Sequence, residues 1–370
     1  MTELGDGTRV VRAGLPEPAQ GEPFLPGPVF AAPFHLMGDP EDSPAVYGRY
    51  GNPTWERYEQ ALGSLEDAEA VLFASGLAAA AALMLTTLRP GSALAIDSSC
   101  YHGVRAFAAM HLAESGVDVR EAVPADLADA VRGADMLWLE TPSNPKLEVY
   151  DIEPLATAAR AAGALTVVDN TTAGALLQRP LDLGADAVLT SATKQMSGHA
   201  DVLLGYVTTR DVELVDRLER WRRYAGAIPG PFEAWLAHRS LPTLGLRLQR
   251  GCHNARALAE LLAARDDVPA VSYPGLQSDP GHAVARRQMR NFGMVVSFDL
   301  EIAERAERFL AEAKLVTDAT SFGSVHTTAE RRARWGGDDV SEGFVRLSAG
   351  IEDTADLVAD VGRALDACSS

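Results

Sequence analysis

Apolar residues recur along this chain in short runs that alternate with stretches of helical spacing. Strand-like runs occupy residues 71–74, 93–97, 117–119, 136–140, 165–169 and 187–189. Between the later ones, residues 104–115, 125–131 and 152–162 repeat apolar positions as amphipathic helices do. Residues 54–65 show the same spacing through Trp55, Tyr58, Leu62 and Leu65. The alanine-rich stretch 76–85 reads as a buried core helix, too short to span a bilayer. Near-continuous apolar strands separated by helices predict an α/β fold, with a mostly parallel sheet covered on both faces. After about Pro231 the pattern changes. Residues 232–239 and 246–264 read as long amphipathic helices, 294–300 and 344–348 as strands and 302–313 as a helix, which predicts a smaller α+β domain. The expected division is an arm at 1–52, a large domain at 53–240 and a small C-terminal domain at 241–370.

The first 45 or so residues are rich in proline and glycine and cannot form long helices. Phe24, Phe30 and Phe34 are interleaved there, and the expectation is an arm lying over another subunit. The short basic run Arg331-Arg332-Ala333-Arg334 is expected to be a solvated helix face.

Ligands in parallel sheets sit beyond the carboxyl ends of the strands, so the residues just past each run are the candidates for chemistry. Those residues are polar: Tyr101 and His102, then Glu140-Thr141-Pro142-Ser143-Asn144-Pro145, then Asp169-Asn170-Thr171-Thr172, then Ser191-Ala192-Thr193-Lys194. A lysine past a strand end, among small and hydroxyl residues, can be desolvated, which frees a neutral amine for Schiff-base chemistry. Ser75-Gly76, between a strand run and a helix, makes an anion site from free backbone N–H groups and the helix dipole.

Composition narrows the possibilities. Length 370 suggests two domains. A net charge of -18 and a pI near 4.9 argue against nucleic acid and anionic membranes as partners. The cysteines Cys100, Cys252 and Cys368 lack metal-ligand spacing and fit a reducing cytoplasm; no metal is expected. No basic-then-apolar leader opens the chain. A nucleotide-binding oxidoreductase would also use a doubly wound sheet, but no Gly-x-Gly-x-x-Gly follows the first strand run.

Six segments, in this order, resemble one family. They are Tyr47-Gly48-Arg49-Tyr50-Gly51-Asn52-Pro53-Thr54, Ala74-Ser75-Gly76-Leu77-Ala78-Ala79, Glu140 to Pro145, Val168-Asp169-Asn170-Thr171, Ser191 to Lys194 with Gly198-His199-Ala200-Asp201, and Val345-Arg346-Leu347-Ser348-Ala349-Gly350. The resemblance, over nearly the whole chain, is to the cystathionine γ-lyase and γ-synthase family, pyridoxal-phosphate enzymes with the aspartate-aminotransferase fold (fold type I). It implies that Lys194 forms the Schiff base with pyridoxal 5'-phosphate and later moves protons. Asp169 pairs with the pyridine nitrogen, Tyr101 stacks on the ring and assists proton transfer, and Asn144 lies near the phenolic oxygen and the substrate. The phosphate meets the backbone of Gly76 and Leu77 and the hydroxyls of Ser191 and Thr193. Tyr47 and Arg49 reach it from a neighbouring subunit, so the resemblance implies a homo-oligomer, by family habit a tetramer. Arg346 grips the α-carboxylate of an amino-acid substrate, and Ser321 lines the same pocket.

The implied reaction is γ-elimination on cystathionine or a related sulfur amino acid, giving a 2-oxo acid, ammonia and a thiol. The alternative is γ-replacement on an activated homoserine, or a lyase for a specialised amino acid. Methionine γ-lyase is disfavoured, because its relatives carry a cysteine where this chain has Gly103. The chain also departs from the family pattern at Trp55, at Gln195 and at Tyr101-His102-Gly103. After Ser321-Phe322-Gly323-Ser324 comes Val325-His326-Thr327-Thr328 in place of a glutamate-containing loop, and Arg346 arrives roughly ten residues early. His326 either replaces that glutamate or is a later family histidine displaced by a deletion.

Overall fold

The structure, a computed structural model, describes residues 4–368. Strands β1 (Glu69–Phe73), β2 (Ala93–Asp97), β3 (Asp118–Ala122), β4 (Met136–Glu140), β5 (Leu165–Asp169), β6 (Ala187–Thr190) and β7 (Gly205–Thr209) form one seven-stranded sheet in the order β1-β7-β6-β5-β4-β2-β3. The run β6-β5-β4-β2-β3 is parallel, and β7 pairs antiparallel with both β6 and β1. The central strands β2, β4, β6 and β7 are buried along their whole length, which is why β2, β4 and β6 are almost continuously apolar; β7 also buries Thr208 and Thr209. Edge strand β3 carries Asp118, Arg120 and Glu121, charges that discourage further pairing.

Sequence cues set the helix starts. Asn52 caps the helix Pro53–Glu66 by accepting from the Thr54 N–H, with proline at the first position. Ser75 caps the helix Gly76–Thr87 in the same way through the Ala78 N–H. The expected helix at 104–115 is instead a helical turn, His102–Phe107, followed by a π-helical segment, Ala108–Ala113. The helix expected at 125–131 shrinks to a 3-10 turn and a short helix, Leu127–Ala130.

The second sheet holds β8 (Ala270–Ser272), β9 (Val295–Asp299), β10 (Thr317–Asp318), β11 (Thr328–Arg331) and β12 (Phe344–Ser348), in the order β10-β11-β12-β9-β8. Its core joins Val296, Phe298, Val345 and Leu347 to residues of the helices Leu244–Ala263, Ala303–Glu312 and Thr354–Cys368.

The basic run at 331–334 is not a solvated face. It forms a 3-10 turn, Arg332–Trp335, in which the Arg332 side chain is only 5% exposed, paired with Glu330 and Asp338. Residue spacing could not show this, because the two acids that neutralise Arg332 are what permit its burial. In the proline-rich segment, a short helix, Asp6–Arg12, buries Val10, whereas Phe24 and Phe30 stay exposed.

Candidate active site

A cavity of about 510 Å³ opens at the carboxyl ends of β4, β5 and β6. Residues 320–322, Arg332, Trp335 and Arg346 close it from the second sheet and the segments leading into it. Size alone does not mark this place. Another concavity of about 550 Å³, near Arg160 and Arg210, has no lysine, histidine or cysteine in its lining.

Lys194 lies in the turn that follows β6. Gly198 ends the turn with φ +74, and a Cβ there would collide with the Arg247 guanidinium, so only glycine fits. Arg247 is buried and donates to the carbonyls of Gln195 (2.6 Å) and Ser240 (3.0 Å). Gln195 Nε2 donates to the Thr171 carbonyl at 2.7 Å, so this departure from the family pattern ties the lysine turn to the turn after β5. Lys194 Nζ donates to Ser321 Oγ at 2.7 Å and stands 4.8 Å from the Phe322 ring centroid. Burial, with the nearby Arg346 charge adding to it, lowers the lysine pKa to about 8. Ser321 holds φ at 79, a left-handed conformation that a non-glycine residue adopts at a cost.

Asp169 ends β5 and accepts from the Thr171 N–H at 2.9 Å. Burial pushes its carboxyl up to about 6. Glu140 is its register neighbour on β4 and accepts from the Tyr101 N–H. Burial first, then the Asp169 charge, raise Glu140 well above the carboxylate range. Two buried acids side by side do not both ionise easily, and Glu140 is the one that keeps its proton. Tyr101, half exposed, lines the cavity and meets the His102 ring edge-on at 4.6 Å.

Gly76, Leu77, Ser191 and Thr193 line one end of the cavity. The first N–H groups of the helix Gly76–Thr87 have no partner within the helix. A Cβ on Gly76 would stand 2.9 Å from Ser191 Cβ, so the absent side chain lets the two turns approach. The Thr193 hydroxyl is tied to Leu204, donating to its carbonyl and accepting from its N–H, both at 3.1 Å. Together these groups make an anion cradle at a helix start.

At the other end, the Arg346 Nη1 donates to Asn144 Oδ1 at 2.6 Å and the Nη2 to the Ser321 carbonyl at 2.9 Å and to Glu330. A guanidinium has five N–H donors, so Arg346 keeps capacity for a ligand carboxylate.

Of the residues expected from sequence, Tyr101, Gly76, Leu77, Asn144, Asp169, Ser191, Thr193, Lys194, Ser321 and Arg346 all line this cavity. Tyr47 and Arg49 do not. Arg49 Nη1 donates to the Arg223 carbonyl at 2.9 Å, and its guanidinium stacks over Tyr50 and Tyr47. His326 is exposed and lies outside the cavity lining. Sequence reading overlooked Glu330, Arg332, Phe322 and Trp335. Glu330 stands directly opposite Arg346 in the β11–β12 pairing, a partnership that only the strand register brings together.

The donor set fits pyridoxal phosphate: a lysine with a depressed pKa, a buried acid and an anion cradle share one cavity. The sequence model of the family described as Cys/Met metabolism PLP-dependent enzyme matches residues 30–366. A Streptomyces coelicolor protein provisionally named a cystathionine gamma-lyase is 53% identical over 98% of this chain and 94% of its own length. The L-methionine gamma-lyase of Pseudomonas putida is 39% identical over 88% of this chain and 86% of its own. The crystal structure of cystathionine gamma synthase from Xanthomonas oryzae pv. oryzae in complex with cystathionine superposes with a TM-score of 0.94 at 34% identity, covering 100% of this chain and 99% of that one. The chain therefore belongs to the pyridoxal-phosphate-dependent enzymes of cysteine and methionine metabolism.

Proposed function

We propose that this enzyme catalyses γ-elimination on cystathionine or a related sulfur amino acid, releasing a 2-oxo acid, ammonia and a thiol. The observation that carries the reading is Lys194, desolvated and within the same cavity as Asp169 and Arg346. Pyridoxal phosphate, when bound, supplies an aldehyde that captures amino groups and a ring that withdraws the electron pair left at the substrate Cα. The protein groups do the rest. The cradle of Gly76, Leu77, Ser191 and Thr193 would hold the phosphate, and Asp169 would favour a proton on the ring nitrogen. Arg346, steadied by Asn144 and Glu330, binds the substrate α-carboxylate. The Lys194 amine removes protons from Cα and then Cβ and returns them, and Ser321 Oγ orients it. Tyr101, in the same lining, would face the ring and assist proton transfer. Over the whole reaction the C–S bond at Cγ breaks with sulfur leaving as the thiol, and one water supplies the oxo oxygen as ammonia departs.

Domains at 53–240 and 241–370, with an arm at 1–52, belong to this reading, as does a homotetramer working in the cytoplasm. Two facts support more than one chain per active unit: Tyr47 and Arg49 sit away from their own cavity, and Phe24 and Phe30 are exposed. No helix among the described residues is long and apolar enough to cross a membrane.

The purified enzyme, given L-cystathionine and in parallel L-homocysteine, is expected to release 2-oxobutyrate from at least one, identified by mass. Pyruvate from cystathionine would mean β-elimination and would overturn the bond assignment. No oxo acid from either would overturn the reading. A second expectation concerns loading. With Lys194 at about 8, the neutral amine falls roughly tenfold per pH unit below that point. The rate at which apoprotein takes up pyridoxal phosphate, followed by its visible band, should rise from pH 6 to 8 and level off above. A flat profile would mean that the reactive amine is already neutral at pH 6.

A further inference from the structure

The segment between β11 and β12, with the strand ends beside it, builds the far wall of the cavity. Glu330 is fully buried. It accepts from Arg346 Nη2, from Arg332 Nη1 at 2.8 Å and from Trp335 Nε1 at 2.8 Å. Arg332 in turn gives its Nε and Nη2 to Asp338 Oδ2 at 2.9 and 2.6 Å. The Arg332 and Asp338 side chains are each 5% exposed. Two arginines and two carboxylates thus form one ladder, Arg346–Glu330–Arg332–Asp338, whose charges cancel. The other groups on this side are the Trp335 indole, the Phe322 ring and His102, whose pKa burial lowers. The two remaining acids in the lining, Glu140 and Asp169, end strands of the large sheet and are not part of this wall.

We infer that this wall selects amino acids whose γ-substituent carries no charge, with Arg332 neutralised by Glu330 and Asp338, and with Trp335 and Phe322 as the surface on which the substituent lies. The inference rests on the γ-elimination reading and narrows its substrate class to uncharged thiols and thioethers such as L-homocysteine; it sets aside cystathionine, whose γ-substituent ends in both an ammonium and a carboxylate. A substituent ending in an ammonium group finds no carboxylate in this wall that is not already paired. One ending in a carboxylate meets Arg332 with its charge offset by two carboxylates, Glu330 and Asp338, whereas Arg346 pairs with Glu330 alone and shares it. Either charge would be desolvated without a partner, and a site rejects such ligands strongly.

The test uses three amino acids of similar length without a leaving group: L-norleucine (neutral), L-lysine (cationic) and L-2-aminoadipate (anionic). Their dissociation constants for the holoenzyme are measured by calorimetry. Norleucine is expected to bind at least about tenfold more tightly than either charged analogue. Asp338→Asn removes one of the two neutralising charges on Arg332, so the aminoadipate-to-norleucine affinity ratio should rise about tenfold, while the lysine ratio does not. Wild-type enzyme that binds a charged analogue as well as norleucine would overturn the inference, as would a folded Asp338→Asn protein with unchanged ratios. If that variant fails to fold, the wild-type series decides. A charged analogue binding best while 2-oxobutyrate is still released would sink this inference alone. Absence of 2-oxobutyrate from any thiol or thioether would remove the reading beneath it as well.

Discussion

Lys194→Ala is expected to lower kcat by at least about 10³-fold and to abolish the borohydride-sensitive visible band of the holoenzyme. A positioned proton-transfer group alone contributes about 10²–10⁴-fold, and this amine also anchors the cofactor covalently in the reading above. Among the described residues, no second lysine lines the cavity. Arg332 and Arg346 line the same cavity, but guanidinium groups do not lose a proton in the working range. The variant should fold. The lysine amine makes one hydrogen bond, to Ser321 Oγ, and its pKa is depressed chiefly by burial, so the wild-type protein bears a desolvation cost that alanine lacks. Circular dichroism and a melting temperature at least equal to wild type would establish that the loss is chemical. Full turnover in a folded Lys194→Ala protein would sink the mechanism.

Much of the large sheet could be read from the chain, because strands buried on both faces write themselves as apolar runs. The boundaries of β2, β4 and β5 match those runs residue for residue. Elements whose stability depends on distant partners could not be read. The runs 104–115 and 125–131 have helical spacing but become a π-helical segment and short turns. β11 is short and carries Thr328, Glu330 and Arg331, which look like loop residues until Arg346 and Arg332 are placed beside Glu330. The same gap explains the site. Lys194, Asp169 and the cradle sit just past strand ends, where position alone makes them suspects. The distal ladder is assembled by pairing across β11 and β12 and by a tight turn at Arg332–Trp335, and no local pattern announces that.

Asp169→Asn is expected to make the protein more stable and far less active. Burial raises this carboxyl from 3.8 to about 6, so the folded chain holds the proton more tightly than the unfolded chain does. By linkage, stability from this group is fullest below about pH 4 and is lost as pH rises toward 6; above that the whole cost is present. An amide of the same shape removes the ionisation and keeps an oxygen for the Thr171 N–H, which now donates to Asp169 Oδ1. The Asp169→Asn apoprotein should therefore melt a few degrees higher than wild type at pH 7.5, and the gain should vanish near pH 4. Activity should move the other way. A neutral amide cannot favour a proton on the ring nitrogen as a carboxylate does, and loss of one such electrostatic contact costs about 10²–10³-fold in kcat. The two measurements separate the roles. A lower melting temperature with lower activity would mean that Asp169 is chiefly a structural acceptor for the turn after β5. A higher melting temperature with unchanged activity would mean that the charge is not used by the chemistry. Only the opposed pair of changes, with the stability gain present at neutral pH and gone in acid, fits a carboxylate that the fold tolerates because the reaction needs it.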